Sequence, residues 1–176
     1  MELLTELVKI VLPGALVLYA MYLTVRAFLN KELIQKQTDL KADYARTLLP
    51  IRLQAYERMV LFLERSSPNN LLLRLSGNAQ SVLELQQVLL TDLREEFNHN
   101  LAQQVYLSNE AWAHIRHAMN EVVATINTAA QELPAEAAPI ELSRQIFERW
   151  VLLSPNPTDE ALRFLKEEVR TNFMEI

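Results

Sequence analysis

The stretch "YERMVLFLERSSPNNLLLRL", Tyr56 to Leu75, decides the fold. At 100° per residue, Tyr56, Met59, Val60, Phe62 and Leu63 share one wide apolar arc, the signature of a helix that packs on a core. Glu57, Arg58, Glu64 and Arg65 fall on the opposite arc, with Leu61 at their centre. Each of the four charges is three or four positions from Leu61, so all are its surface neighbours. "SSPNN" then stops the helix. Ser67 can cap a following helix with Pro68 in its first turn, which predicts a short helix over 68–75.

Outward from this stretch the pattern remains helical. Pro50 is expected to open or kink the helix that carries Tyr56, giving roughly 50–65. Gly77-Asn78 reads as a turn. Residues 79–98 form a long helix with Val82, Leu85, Leu89, Leu93 and Phe97 near one face, broadened by Leu83 and Leu90. Residues 99–107 carry no clear pattern. Ser108 caps a helix to about Leu133 whose core stripe is Trp112, Ile115, Met119, Val122 and Ile126. "LPAEAAP", Leu133 to Pro139, is a loop. A helix of about 140–153 ends at "SPNP", and Thr158-Asp159 caps a last helix with Leu162, Leu165, Val169 and Phe173 inward. No strand-like alternation persists. The expected fold class is all-α, an antiparallel bundle over 50–176.

Composition agrees. The chain of 176 residues has two glycines and no cysteine. So few glycines disfavour turn-rich sheets, phosphate-cradling loops and dinucleotide fingerprints. The missing cysteines exclude disulfides and thiolate chemistry. The net charge of −5 is unevenly spread. Residues 1–25 sum to −1, from Glu2 and Glu6 against Lys9. Residues 26–46 sum to +2, from Arg26, Lys31, Lys36, Lys41 and Arg46 against Glu32, Asp39 and Asp43. The remaining −6 belongs to 47–176. An acidic body argues against nucleic acid as a partner, because phosphate contacts need a basic face.

The basic stretch adjoins the most apolar one. "IVLPGALVLYAMYLTV", Ile10 to Val25, holds sixteen residues without a charge. Extended through Leu7 and Leu29 it admits only Lys9 and Arg26, and meets the roughly 20 residues a bilayer-crossing helix needs. The expectation is a transmembrane anchor over 1–29, followed by a helical stalk over 30–49. A cleaved signal peptide fits less well, since the start is acidic and Leu29-Asn30-Lys31 offers no small-residue cleavage site. A buried soluble helix fits less well too, since few are apolar on every side. Lys and Arg are denser on the C-terminal flank, so the N-terminus is expected outside and the body in the cytoplasm. Within the span, Ala15, Tyr19, Tyr22 and Arg26 form one stripe. A phenol in lipid wants a hydrogen-bond partner, so the stripe is read as a face that packs on another membrane helix.

Two surfaces compete as functional sites. The first is Glu57, Arg58, Leu61, Glu64 and Arg65, an apolar contact rimmed by charges, the anatomy of a small protein interface. Its rivals are a solvated face and packing within the chain. Catalysis by Glu57 or Glu64 is disfavoured, because arginine neighbours hold carboxylates ionised. The second is the line Glu110, His114, His117 and Glu121, spaced for one helix face, a weak candidate for a divalent metal. It lies opposite the Trp112 stripe and should face water. His99 sits at a helix end, where the dipole favours a cation.

The start Tyr56-Glu57-Arg58, the Leu63-Glu64-Arg65 repeat, Pro68 and the Arg74-Leu75 ending, preceded by an apolar span, resemble an uncharacterised family of small bacterial membrane-anchored proteins. The resemblance implies a single-pass anchor and a helical domain, and implies no activity and no cofactor. The expected function is therefore a non-enzymatic scaffold or accessory subunit that binds a larger inner-membrane complex or further copies of itself. The alternative is a metal-dependent, membrane-tethered regulator or enzyme using the Glu/His line.

Overall fold

The computed structural model describes residues 2–174, with side chains described for 14–40, 43–44, 46–77 and 79–173. Among these residues every regular element is helical and no strand occurs. The elements are α1 (Glu2–Ser66), α2 (Pro68–Leu75), α3 (Val82–Asn100), α4 (Asn109–Gln131), α5 (Pro139–Leu152) and α6 (Pro157–Val169). Short tight turns of helix cover Ser76–Asn78 and Leu101–Val105, and a wider helical turn covers Arg170–Met174. The chain divides into two compact units, Met1–Leu48 and Leu49–Ile176, and α1 contributes to both.

In the first unit every side chain from Gly14 to Leu40 is exposed, the apolar ones included. Among the described residues no helix is long and apolar enough to cross a membrane. The side chains of residues 7–13, which open the expected span, lie outside the described residues. Ala15, Tyr19, Tyr22 and Arg26 are all exposed along α1. Pro50 lies inside α1 and does not open a new helix, which corrects the expected break. A proline inside a helix lacks one amide hydrogen bond. Pro50 is exposed, so water can serve the carbonyl left free. The turn that follows is anchored by Ala55 and Tyr56, both buried.

The second unit is built around α4, which packs on α3, α5 and α6, while α2 packs on α3 and α5. Its core joins Met59, Phe62 and Leu63 of α1, Leu85, Leu89 and Leu93 of α3, Ile115, Val122 and Ile126 of α4, Leu142 and Ile146 of α5, and Leu165 of α6. Each such side chain, fully buried, contributes about 1.5–3 kcal/mol. The α4 stripe differs from the expected one. Trp112 and Met119 are only partly buried, and Ala111, Ala118 and Ala129 take the fully buried positions. Small side chains let neighbouring helices approach α4 closely. Leu83, expected to broaden the α3 face, is 45% exposed. Aromatic rings join three helices: Phe62 of α1 lies 5.6 Å from Phe97 of α3, which stacks 5.4 Å from Trp112 of α4.

The helix ends are closed by local chemistry. Glu64 O, near the end of α1, accepts from Ser67 Oγ at 2.9 Å and Asn70 Nδ2 at 2.7 Å, so "SSPNN" turns the chain with the α1 carbonyl satisfied. Ser81 Oγ accepts from Glu84 N while Glu84 Oε2 accepts from Gln80 N, a variant of the capping box. The amides of Val82 and Leu83 donate to Ala137 O and Ala135 O, pinning the loop between α4 and α5 onto the start of α3. Ser108 Oγ accepts from Ala111 N, as expected of a cap. For α6 the cap is Asn156, whose Oδ1 accepts from Thr158 N and Thr158 Oγ1, and not Thr158-Asp159.

Candidate functional site

The exposed arc of α1 forms one wall of a groove against the C-terminal end of α3. Gln54, Glu57, Arg58, Leu61 and Arg65 line it from α1, and Glu96, His99 and Asn100 from α3. Its volume is about 420 Å³ and it is open to solvent. Leu61 is 53% exposed at the centre of the arc, an apolar side chain of α1 that the core does not use.

The charges around Leu61 are not equivalent. Arg65 is tied across the groove to Glu96, with Nε 3.2 Å from Oε1 and Nη2 3.4 Å from Oε2. That pair bridges the groove between α1 and α3. Among the described residues Glu57, Arg58 and Glu64 form no ion pair. Asn100 is buried and donates to Glu96 O, closing the last turn of α3. His99 is exposed at that helix end. The groove thus offers one apolar centre, the carboxylate of Glu57 and the guanidinium of Arg58, neither in an ion pair among the described residues, and an imidazole.

Two neighbouring features lie on the α6 side of α1. Leu53, Val60, Leu165 and Val169 line an apolar groove of about 300 Å³, edged by Lys166 and Arg170. Beneath its rim Tyr56 is 2% exposed, and neither its hydroxyl nor Glu168 Oε2 has a hydrogen-bond partner. Burial raises the Tyr56 phenol above its usual 10.0, and the nearby Glu168 carboxylate adds to the rise, opposed by the Ser108 backbone and Arg52. Carboxylate and hydroxyl are therefore close enough to influence each other without the geometry of a formed bond. Arg52 donates from Nε to Tyr106 O at 3.1 Å and holds its guanidinium carbon 4.7 Å from the Phe173 ring centre. The Phe173 ring meets Tyr56 edge-on at 5.8 Å.

The Glu/His line is split by its surroundings. Glu110 and His117 are exposed, and His117 Nδ1 stands 4.0 Å from Glu121 Oε1. His114, expected to face water, is half-buried and stacks 4.4 Å from the Phe164 ring of α6. The α6 ring packs over that part of α4, a tertiary contact the α4 periodicity alone does not carry. Among the described residues no group of three or more His, Asp or Glu side chains is arranged to hold a metal ion.

Sequence reasoning missed the contacts between distant segments. Arg74 of α2 binds Asp92 of α3 through two bonds, 2.8 and 3.2 Å, and the hydrogen bond to Asp92 holds its guanidinium above the usual range. Arg149 of α5 pairs with Glu132 at the end of α4. Gln86 donates to Asn127 Oδ1 between α3 and α4. A bare arginine in the sequence carries no sign of its distant partner.

The chain belongs to the family of unknown function DUF7935, which matches residues 2–172. The match assigns no activity. No curated protein and no solved structure matches the chain.

Proposed function

We propose that the protein is a non-enzymatic, membrane-anchored scaffold or accessory subunit of a bacterial inner-membrane complex. The N-terminal part of α1 is the anchor, and the helical body presents the Leu61 groove to a larger partner on the cytoplasmic side. The observation that carries this reading is the run of exposed apolar side chains from Leu16 to Leu29, among them Leu18, Tyr19, Tyr22 and Phe28. Water is a poor solvent for such a surface on every side of a helix. Lys and Arg gather on its C-terminal flank, which favours a cytoplasmic body.

The partner is read from the groove. An exposed leucine bordered by Glu57, Arg58 and Glu64 suits a protein surface with an apolar patch and a rim that carries charges of both signs. Ala15, Tyr19, Tyr22 and Arg26 supply a second contact, to a neighbouring membrane helix. The test is mild-detergent purification of the full-length chain from its native membrane, beside Leu61→Glu. A larger protein in fixed ratio, lost on Leu61→Glu, supports the reading. Recovery of the wild-type chain alone contradicts it.

A further inference from the structure

We propose that the apolar groove between α1 and α6 binds a medium-chain free fatty acid, with its alkyl chain in the groove and its carboxylate on Lys166 and Arg170. The site lies within the helical body and does not require the membrane reading.

The groove marks a place where two apolar faces of the body do not close on each other. Leu53, Tyr56 and Val60 follow the core spacing of α1, and Leu165 and Val169 follow that of α6. Their α1 neighbours Met59, Phe62 and Leu63 are fully buried, whereas Leu53, Val60 and Val169 stay half-buried along the groove. Apolar walls left in this way gain from an apolar occupant that takes them out of water.

Size selects the class of occupant. Both walls belong to this chain, and the space between them is about 300 Å³. That is the lower end of the range of small-molecule sites, about 300–1,000 Å³. A single turn of α-helix, about 10 Å across and about 5.4 Å long, already fills roughly 400 Å³, so a partner helix does not enter. From Leu53 to Val60 the groove follows about 10 Å of α1, which leaves a cross-section of about 30 Å². Such a space is long and narrow, the shape of one alkyl chain. An apolar cavity of about 150 Å³ takes a benzene ring, so this groove takes roughly eight to twelve carbons. A membrane lipid with two long chains exceeds it.

Charge selects the head. Lys166 of α6 and Arg170 of the turn that follows stand one helical turn apart on one lip, and Glu57 stands on the α1 lip. Two cations and one carboxylate leave a net of +1, which a single carboxylate matches. Among the described residues none of the three forms an ion pair, so no side chain already neutralises the two cations. An ammonium and a guanidinium so placed offer a carboxylate charge-assisted hydrogen bonds. Arg163 extends the cationic row into an adjoining polar groove, but Glu64, Asp159 and Glu167 stand there too. Those three acids repel an anion from that side and confine the head to the Lys166–Arg170 end.

The full-length chain, in extracts containing both membrane and soluble fractions, is irradiated with decanoate carrying a diazirine at its chain end, and the adducts are mapped by peptide mass spectrometry. The expected result is label on segments 53–60 and 165–170 that free decanoate displaces. Decylammonium, with the same chain and the opposite charge, should not displace it. Lys166→Glu with Arg170→Glu, at two exposed positions, should abolish the displaceable label. Absence of label from the two segments, equal displacement by decylammonium, or label unchanged in the double variant overturns the proposal. The readout is the same in whichever fraction the chain is recovered, so failure of the anchor and failure of this site are distinguished.

Discussion

At the scale of the residue, Tyr56 shows how far a sequence can be read. Its apolar ring is where the periodicity puts it, on the core arc of α1, 2% exposed. Its hydroxyl is the part that periodicity does not address. That oxygen is buried without a partner, as is Glu168 Oε2. An unsatisfied buried polar group costs about 1–3 kcal/mol. Tyr56→Phe should therefore leave the midpoint of urea unfolding at pH 7 unchanged or raise it; a clear fall would show a hydrogen bond missing from this account. The same residue sets an alkaline limit. The folded phenol ionises above 10.0, chiefly because it is buried, so above pH 10 the unfolded chain loses its proton first. Stability is fully present below that pH and declines as pH rises toward the folded value. Unfolding midpoints measured across that alkaline range should fall less steeply in Tyr56→Phe than in the wild type. At Leu61 the prediction is opposite in kind. The side chain is half exposed, so Leu61→Glu should shift stability by no more than about 0.5 kcal/mol while weakening the proposed partner contact.

At the scale of the element, the helices were legible and their closest packing was not. Pro68 gave the helix Pro68–Leu75 its start, whereas Ser67, expected to cap it, donates its hydroxyl back to Glu64 O, and Ser108 capped α4 as its position required. Pro50 was misleading, because the apolar arc that follows it holds the helix through the missing hydrogen bond. The α4 face was read from its large side chains, yet the fully buried positions belong to Ala111, Ala118 and Ala129. Alanine is at home inside and outside, so its burial is decided by the neighbour that approaches it and leaves no mark in the sequence. The same holds for the Arg65–Glu96 pair that bridges the groove: both residues were visible, their pairing was not. Ala118→Leu should cost about 1–3 kcal/mol of folding stability by overpacking α4 against its neighbours, read by chemical denaturation. Ile115→Ala, at a fully buried position of the same face, should cost about 2–5 kcal/mol by leaving a cavity. Equal tolerance of both would mean that α4 is not the packed centre of the body.

At the scale of the whole molecule, the all-α class was readable from helix-forming composition, two glycines and unbroken helical periodicity. Membership of DUF7935 over residues 2–172 joins the apolar N-terminal segment and the helical body in one family unit. Function is less legible, because the partner proposed for the Leu61 groove has a sequence that is not written in the chain that would bind it. The proposed function requires the apolar segment of α1 to enter a bilayer. Alkaline carbonate extraction of membranes from cells producing the full-length chain tests this most directly, since it strips peripheral proteins and spares those whose helices lie in the hydrocarbon. The chain should remain in the membrane pellet and leave it only with detergent. Quantitative release into the carbonate supernatant would contradict the account.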